Sequence, residues 1–259
     1  MVCIWCMKPV VALRSSKRFC GDACRQAYWR SRQQLRAWGI PEQPVCHLGR
    51  FEDYAHDYAG RLDVIITDPP YSRRYLPLYT ALGQFALTAL KPGGWLLCVT
   101  GWGTDFEVRT SWNAAGLEFV TEEFYRMPEQ PGDGTRPTSV GVLLWKQYEK
   151  PILWYQKPGT RGDRRRGVTR DRITEPVIST PEMNQKQRRW EQSVSAFRQI
   201  VRKWTVPSDL ICDPMMGWGT TPVACVSENR PRCIGIEVRP ERYAYACQQL
   251  GLTPAQAAD

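Results

Sequence analysis

The chain has 259 residues, 42% hydrophobic and 24% charged, which is the balance of a soluble globular protein with room for one large domain and a small appendage. No apolar run approaches the roughly 18–20 residues that a bilayer helix needs. Two cysteines stand within the first six residues in place of a signal-peptide core, so no membrane association and a cytoplasmic location are expected. The net charge of +9 is uneven: residues 1–50 hold 9 basic and 2 acidic side chains, residues 146–205 hold 15 and 6, and the rest of the chain is acidic. Two basic islands of this kind are either surfaces that meet a polyanion or solvated faces.

The N-terminal stretch carries Cys3-x2-Cys6-x13-Cys20-x3-Cys24, followed by a basic helix expected from about Gln26 to Trp38. The spacing suits tetrahedral zinc held by four thiolates, because so short a segment builds no core without a metal; two disulfides or four free thiols are the alternatives. The other six cysteines (Cys46, Cys98, Cys212, Cys225, Cys233, Cys247) lie mostly in apolar segments and read as buried thiols of a reducing compartment. Pro41 and Pro44 mark a linker, which separates a module over residues 1–40 from a domain over 45–259.

In that domain Asp63–Thr67 reads as a buried strand, Tyr75–Leu90 as a helix, Lys91–Gly94 as a turn and Trp95–Val99 as the next strand. Such alternation predicts an α/β fold with a parallel sheet and helices on both faces. Residues 126–189 are rich in Pro, Gly and Arg, with strands expected at Val140–Trp145 and Ile152–Tyr155; a stretch this irregular is functional or disordered. The pattern then resumes with a helix at Ser193–Trp204, a strand at Asp209–Asp213, a glycine loop at Pro214–Thr220, a helix at Thr221–Glu228, a strand at Cys233–Val238 and a helix at Pro240–Leu250. His47 and His56 read as packing or surface residues, and Trp95, Trp145 and Trp154 as core.

Two motifs carry chemistry. Asp68-Pro69-Pro70-Tyr71 follows a buried strand, where parallel sheets place their ligand sites. An aromatic exocyclic amine is a poor nucleophile because its lone pair is spread into the ring. The Asp68 carboxylate and the Pro69 carbonyl can each accept one of its N–H bonds, the two prolines holding that carbonyl rigid. Tyr71 offers a flat face to an extruded base. The bland alternative is a proline-rich strand cap with Tyr71 in the core. The second motif, Asp213-Pro214-Met215-Met216-Gly217-Trp218-Gly219-Thr220-Thr221, bends between a strand and a helix. Glu237, at the end of the following strand, is placed to accept hydrogen bonds from the two ribose hydroxyls of an adenosine ligand. A dinucleotide remains open, although the third glycine of its fingerprint is missing.

Together, residues of about 45–250 resemble the amino-methyltransferases that modify adenine or cytosine in DNA, and the phage and prophage methylases in particular. The likeness rests on Leu48-Gly-Arg-Phe51, Asp63–Tyr71, Lys91-Pro-Gly-Gly94, Lys150-Pro-Ile-Leu-Trp154, Trp190-Glu-Gln-Ser193 and Asp213–Thr221. The amine motif precedes the donor motif, the permuted order of the β group. The resemblance implies a Rossmann-like methyltransferase core that uses S-adenosylmethionine. Asp68, Pro69, Pro70 and Tyr71 would activate the amine. Asp213, Pro214, Met215, Gly217, Gly219 and Thr220 would line the donor pocket, with Glu237 on the ribose and Gln192 and Ser193 near the methionine moiety. Two departures stand out: Met215 replaces a usual Phe, and Trp218 stands where a small residue is common. Asp at the head of the tetrapeptide favours adenine, with the 4-amino group of cytosine as the alternative. Rival readings are RNA methylation and a DNA-binding regulator on a decayed methyltransferase fold.

Residues 126–189 occupy the family's target-recognition position. Arg161, Arg164, Arg165, Arg166, Arg170, Lys186, Arg188 and Arg189 are the expected contacts to double-stranded DNA. Cys3, Cys6, Cys20 and Cys24 resemble the zinc ribbons attached to phage proteins, serving DNA contact or a structural, partner-docking role. A homodimer and a paired restriction enzyme both stay open.

Overall fold

The computed structural model describes residues 3, 10, 18–39, 42–101, 103–126, 149–159 and 193–254. The strand expected at Val140–Trp145 lies outside them. In chain order the elements are α1 (Asp22–Ala37), β1 (Val45–Leu48), β2 (Leu62–Thr67), α2 (Leu76–Ala89), β3 (Leu90–Val99), α3 (Asp105–Ala115), β4 (Glu118–Arg126), β5 (Glu149–Gln156), α4 (Val194–Trp204), β6 (Ile211–Asp213), α5 (Thr220–Ser227), β7 (Cys233–Glu237) and α6 (Pro240–Gln249). Among the described residues no helix is long and apolar enough to cross a membrane.

Among the described residues the strands form one seven-stranded sheet in the order β1-β7-β6-β2-β3-β5-β4. β1, β7, β6, β2 and β3 run parallel to one another, but β5 runs antiparallel to both β3 and β4. The expectation of a parallel sheet is corrected here: β4 and β5 pair antiparallel, and an antiparallel pair needs no crossover helix. The turn expected at Lys91–Gly94 is also absorbed into β3, where the register against β2 shifts between Leu62 and Val64.

Strand alternation splits the core into two layers. Ile65, Leu96 and Cys98 face α2 and α3, packing with Leu82, Phe85, Val108 and Trp112. Val64, Ile66, Leu97 and Val99 face the other way, onto Phe197, Ile200 and Trp204 of α4 and Ala224 of α5. α4 is helical because its apolar residues recur at Ala196, Phe197, Ile200, Val201 and Trp204, one stripe of a 3.6-residue period. Its charged face is tied down: Arg198 and Arg202 both pair with Glu228 at 2.8 Å, and Lys203 reaches Glu123 at 3.2 Å.

A buried carboxylate staples the sheet centre. Asp63 is 1% exposed and accepts from Lys91 Nζ at 3.0 Å and from the Leu210 N–H at 2.8 Å. His47 is a packing residue, stacked on Tyr54 and hydrogen-bonded to the Tyr58 hydroxyl at 2.6 Å. Cys98, Cys212, Cys225, Cys233 and Cys247 are buried thiols, whereas Cys46 is only partly covered.

Candidate active site

The chain builds outwards from β2 in both directions: β3 follows on one side, and β6 and then β7 follow on the other. β2 and β6 are parallel neighbours with Ile65 opposite Cys212, so their carboxyl ends open side by side. Diverging loops leave a crevice at such a switch point, where open α/β sheets bind ligands. The loop after β2 is Asp68–Tyr71 and the loop after β6 begins at Asp213, so the two motifs face each other across that crevice.

On the β2 side Pro69 is buried, Pro70 is exposed, and Asp68 and Tyr71 are partly covered. The Tyr71 hydroxyl donates to Asp68 Oδ1. Burial, and then the neighbouring Asp68 charge, push the phenol well above its ordinary range, so it remains a donor. The Tyr71 hydroxyl is thus engaged with the first residue of its own motif. Tyr71 and Val194, at the start of α4, pack on the same core layer.

On the β6 side Asp213 is 3% exposed; Oδ2 accepts from Thr221 Oγ1 at 2.5 Å and Oδ1 from the Met215 N–H at 3.1 Å. Burial raises its carboxyl to about 7 against these hydrogen bonds, and the Asp68 charge adds to the rise. Glu237 is 6% exposed; Oε2 accepts from the Gly217 N–H and Oε1 from the Arg239 N–H, each at 2.9 Å. A carboxylate has about four lone-pair positions. Two remain on an acceptor that the backbone already aims, which suits a diol.

The two glycines differ. Gly217 has φ +55 with open space where a side chain would stand, the arrangement a close ligand needs. At Gly219 (φ +90) a Cβ would lie 2.8 Å from the Cβ of Ala246, so this glycine also serves the packing of α5 on α6. Trp218 turns onto α6, edge-on to Tyr245 and beneath Arg242, so its bulk stays compatible with the loop. Met215 is partly buried against the α2 layer, and its neighbour Met216 is buried at 3%. Pro214 and Thr220 are buried in the same loop, and Ser193 is buried at the head of α4 with its hydroxyl 3.0 Å from that of Ser195.

Gln192 lies outside the described residues, as do Cys6, Arg161, Arg164, Arg165, Arg166, Arg170, Lys186, Arg188 and Arg189. Other cations of the second basic island make intrachain contacts, including Lys150, Lys157, Arg198, Arg202 and Lys203. Net charge alone therefore overstated the surface left for a polyanion. Sequence reasoning also missed Lys150 as a site residue, and Gly101, which packs against Tyr71. A glycine pair at 101 and 103, just beyond a strand, was the available signal.

Away from this edge, the Sγ atoms of Cys3, Cys20 and Cys24 lie within 4.8 Å of one another, with Cys20 and Cys24 3.4 Å apart. Thiolates around tetrahedral zinc, at about 2.3 Å from the metal, stand ~3.8 Å apart. The N-terminal cluster is thus able to chelate a metal.

Comparison with known proteins agrees with this geometry. The fold is the α/β, Rossmann-like fold of S-adenosylmethionine-dependent methyltransferases. The chain belongs to the DNA methylase family of N6/N4 methyltransferases, whose model matches residues 62–248. Among solved structures it is similar to the putative DNA modification methylase TTHA0409 of Thermus thermophilus in complex with S-adenosyl-L-methionine (TM-score 0.63, 17% identity, 83% of this chain and 99% of that one). It is also similar to the M1.HpyAVI–SAM complex (TM-score 0.60, 19% identity, 80% and 100%). A third is the PvuII DNA methyltransferase, described as cytosine-N4-specific (TM-score 0.64, 14% identity, 84% and 88%). No curated protein sequence matches the chain.

Proposed function

We propose that this protein transfers a methyl group from S-adenosylmethionine to an exocyclic amine of a base in double-stranded DNA. The observation that carries this reading is the placement of Asp68–Tyr71 and Asp213–Thr220 on adjacent parallel strands at the switch point of the sheet. The residues fit the donor: the pre-aimed Glu237 carboxylate suits the ribose, and Gly217 lets the backbone approach closely. Asp213, Pro214, Met215, Gly219 and Thr220 belong to the same strand–loop–helix turn, and Ser193 at the head of α4 is the further candidate for the methionine moiety. Bound there, the donor supplies an electrophilic methyl on sulfur. Asp68 and the Pro69 carbonyl accept the amine's two N–H bonds, localise its lone pair and orient it for direct attack, with no covalent link to the protein.

The choice of base follows the comparisons more than the tetrapeptide. Asp68 alone suggested the 6-amino group of adenine, whereas the PvuII enzyme is named for cytosine N4, and this favours the 4-amino group of cytosine. Nucleoside mass spectrometry of DNA incubated with protein and S-adenosylmethionine decides between them. An N4-methylcytosine or N6-methyladenine product that vanishes in Asp68→Ala supports the reading; an active Asp68→Ala, or no methylated nucleoside, overturns it.

Residues 45–259 form the methyltransferase domain in this proposal, with residues 126–189 contacting the target. Residues 1–40 form a zinc module, for which the spacing of the three described thiols is the support.

A further inference from the structure

Lys150 reaches the catalytic edge because β5 runs against the central strands. Its N-terminal end lies beside the carboxyl end of β3, with Ile152 opposite Val99 and the Thr100 N–H bonded to the Pro151 carbonyl at 2.9 Å. In a parallel β5 the same residue would sit at the far edge of the sheet. Lys150 is instead drawn in, with Nζ 3.2 Å from the Tyr71 hydroxyl and 4.8 Å from the centre of its ring.

The chemistry of the contact is directional. An ammonium has only donors, so the Tyr71 oxygen accepts from Lys150 and the phenolic proton is left for Asp68 Oδ1. The cation over the ring also resists rotation of the tyrosine. Burial lowers the affinity of Lys150 for its proton, while the Asp68 charge opposes that fall. A lysine withdrawn from water in this way gains little as a surface charge.

We infer that Lys150 is a positioning residue for amine methylation: it holds the Tyr71 hydroxyl so that the phenol, bonded to Oδ1, fixes the orientation of the Asp68 carboxylate. This rests on the function proposed above.

The test uses the full chain and the Lys150→Met, Lys150→Arg, Tyr71→Phe and Tyr71→Phe/Lys150→Met variants. Single-turnover methyl transfer, DNA and donor dissociation constants and melting temperature are measured for each. Lys150→Met should slow transfer about 10- to 100-fold, the cost of a misplaced catalytic group, with both dissociation constants within about threefold of wild type. Lys150→Arg, which keeps the charge and the donors, should recover most of the rate. In the Tyr71→Phe background the lysine change should add little, because the hydroxyl through which it acts is gone.

A wild-type rate in Lys150→Met overturns the inference, as does a loss confined to DNA affinity or a full loss on top of Tyr71→Phe. Should Lys150→Met fail to fold, Lys150→Gln is read in the same way. An active wild type with an indifferent Lys150 sinks this inference alone, whereas a wild type that methylates no DNA sinks the proposed function and the inference together.

Discussion

Gly101 packs so closely on Tyr71 that a Cβ on the glycine would stand 2.7 Å from the tyrosine Cβ. The backbone just past β3 thereby presses on the loop that carries Asp68. Gly101→Ala is expected to displace Tyr71 and slow methyl transfer by roughly 10-fold or more, while donor affinity stays close to wild type. Single-turnover kinetics beside calorimetric donor binding check this; an unchanged rate would show that the Tyr71 loop tolerates the shift.

Gly83 lies within α2 against the indole of Trp112, 2.6 Å from where its Cβ would be. Alanine is ordinarily the better helix former by about 1 kcal/mol. Here Trp112 is fully buried and its Nε1 donates to the Tyr79 carbonyl at 2.7 Å, so it has nowhere to go. Gly83→Ala should destabilise the protein by ~1–3 kcal/mol, read from denaturant unfolding. A stabilised variant would mean that the α2–α3 contact is looser than the geometry implies.

The raised carboxyl of Asp213 has a pH signature. Its ordinary value is 3.8 and its folded value is about 7, so the folded state holds the proton more tightly. Its contribution to stability is full below pH 3.8, fades as pH rises, and is gone above about pH 7. The melting temperature of wild type relative to Asp213→Asn should therefore fall from roughly pH 5 to roughly pH 8. A rise over the same range would contradict the assignment.

Asp63 is the central staple, and removing it takes away the carboxylate to which the Leu210 N–H and the largely covered Lys91 donate. Asp63→Ala is expected to cost ~3–5 kcal/mol, the range for breaking a buried pair on one side. Asp63→Asn, which keeps an acceptor oxygen, should cost less. Equal unfolding midpoints for both variants would contradict that ranking.

For the N-terminal module, about one zinc per chain is expected by metal analysis of purified protein, falling in Cys20→Ser. Chelation should disorder this module first, with the melting transition of the sheet retained. Full metal content in Cys20→Ser would remove that thiol from the ligand set.

The parts of this fold that could be read from the chain are those whose pattern is local. β2, β6 and β7 are short apolar runs that end at a proline or glycine loop or a charged turn, and α4 shows its apolar stripe directly. α3 and β4 went unnamed because Asp105–Ala115 and Glu118–Arg126 mix charged and apolar residues without a clean period. The same division holds at the site. Asp68–Tyr71 and Asp213–Glu237 are contiguous or closely spaced, and so were visible. Lys150 lies 79 residues from Tyr71, and its proximity depends on the direction of β5, which composition does not encode. Asp63 was invisible as a staple for a similar reason: its partners lie 28 and 147 residues away.

The direction of β5 also governs how this protein can diversify. Arg126 and Glu149 are strand partners, so the chain between them leaves and re-enters the sheet at one hairpin mouth, on the edge that carries Asp68 and Asp213. Both anchors belong to the outer antiparallel pair, so their positions are set without involving β6 or β7. Under the proposed function, a change of target preference anchored at this mouth leaves Asp68 and Asp213, on the central strands' loops, where they are.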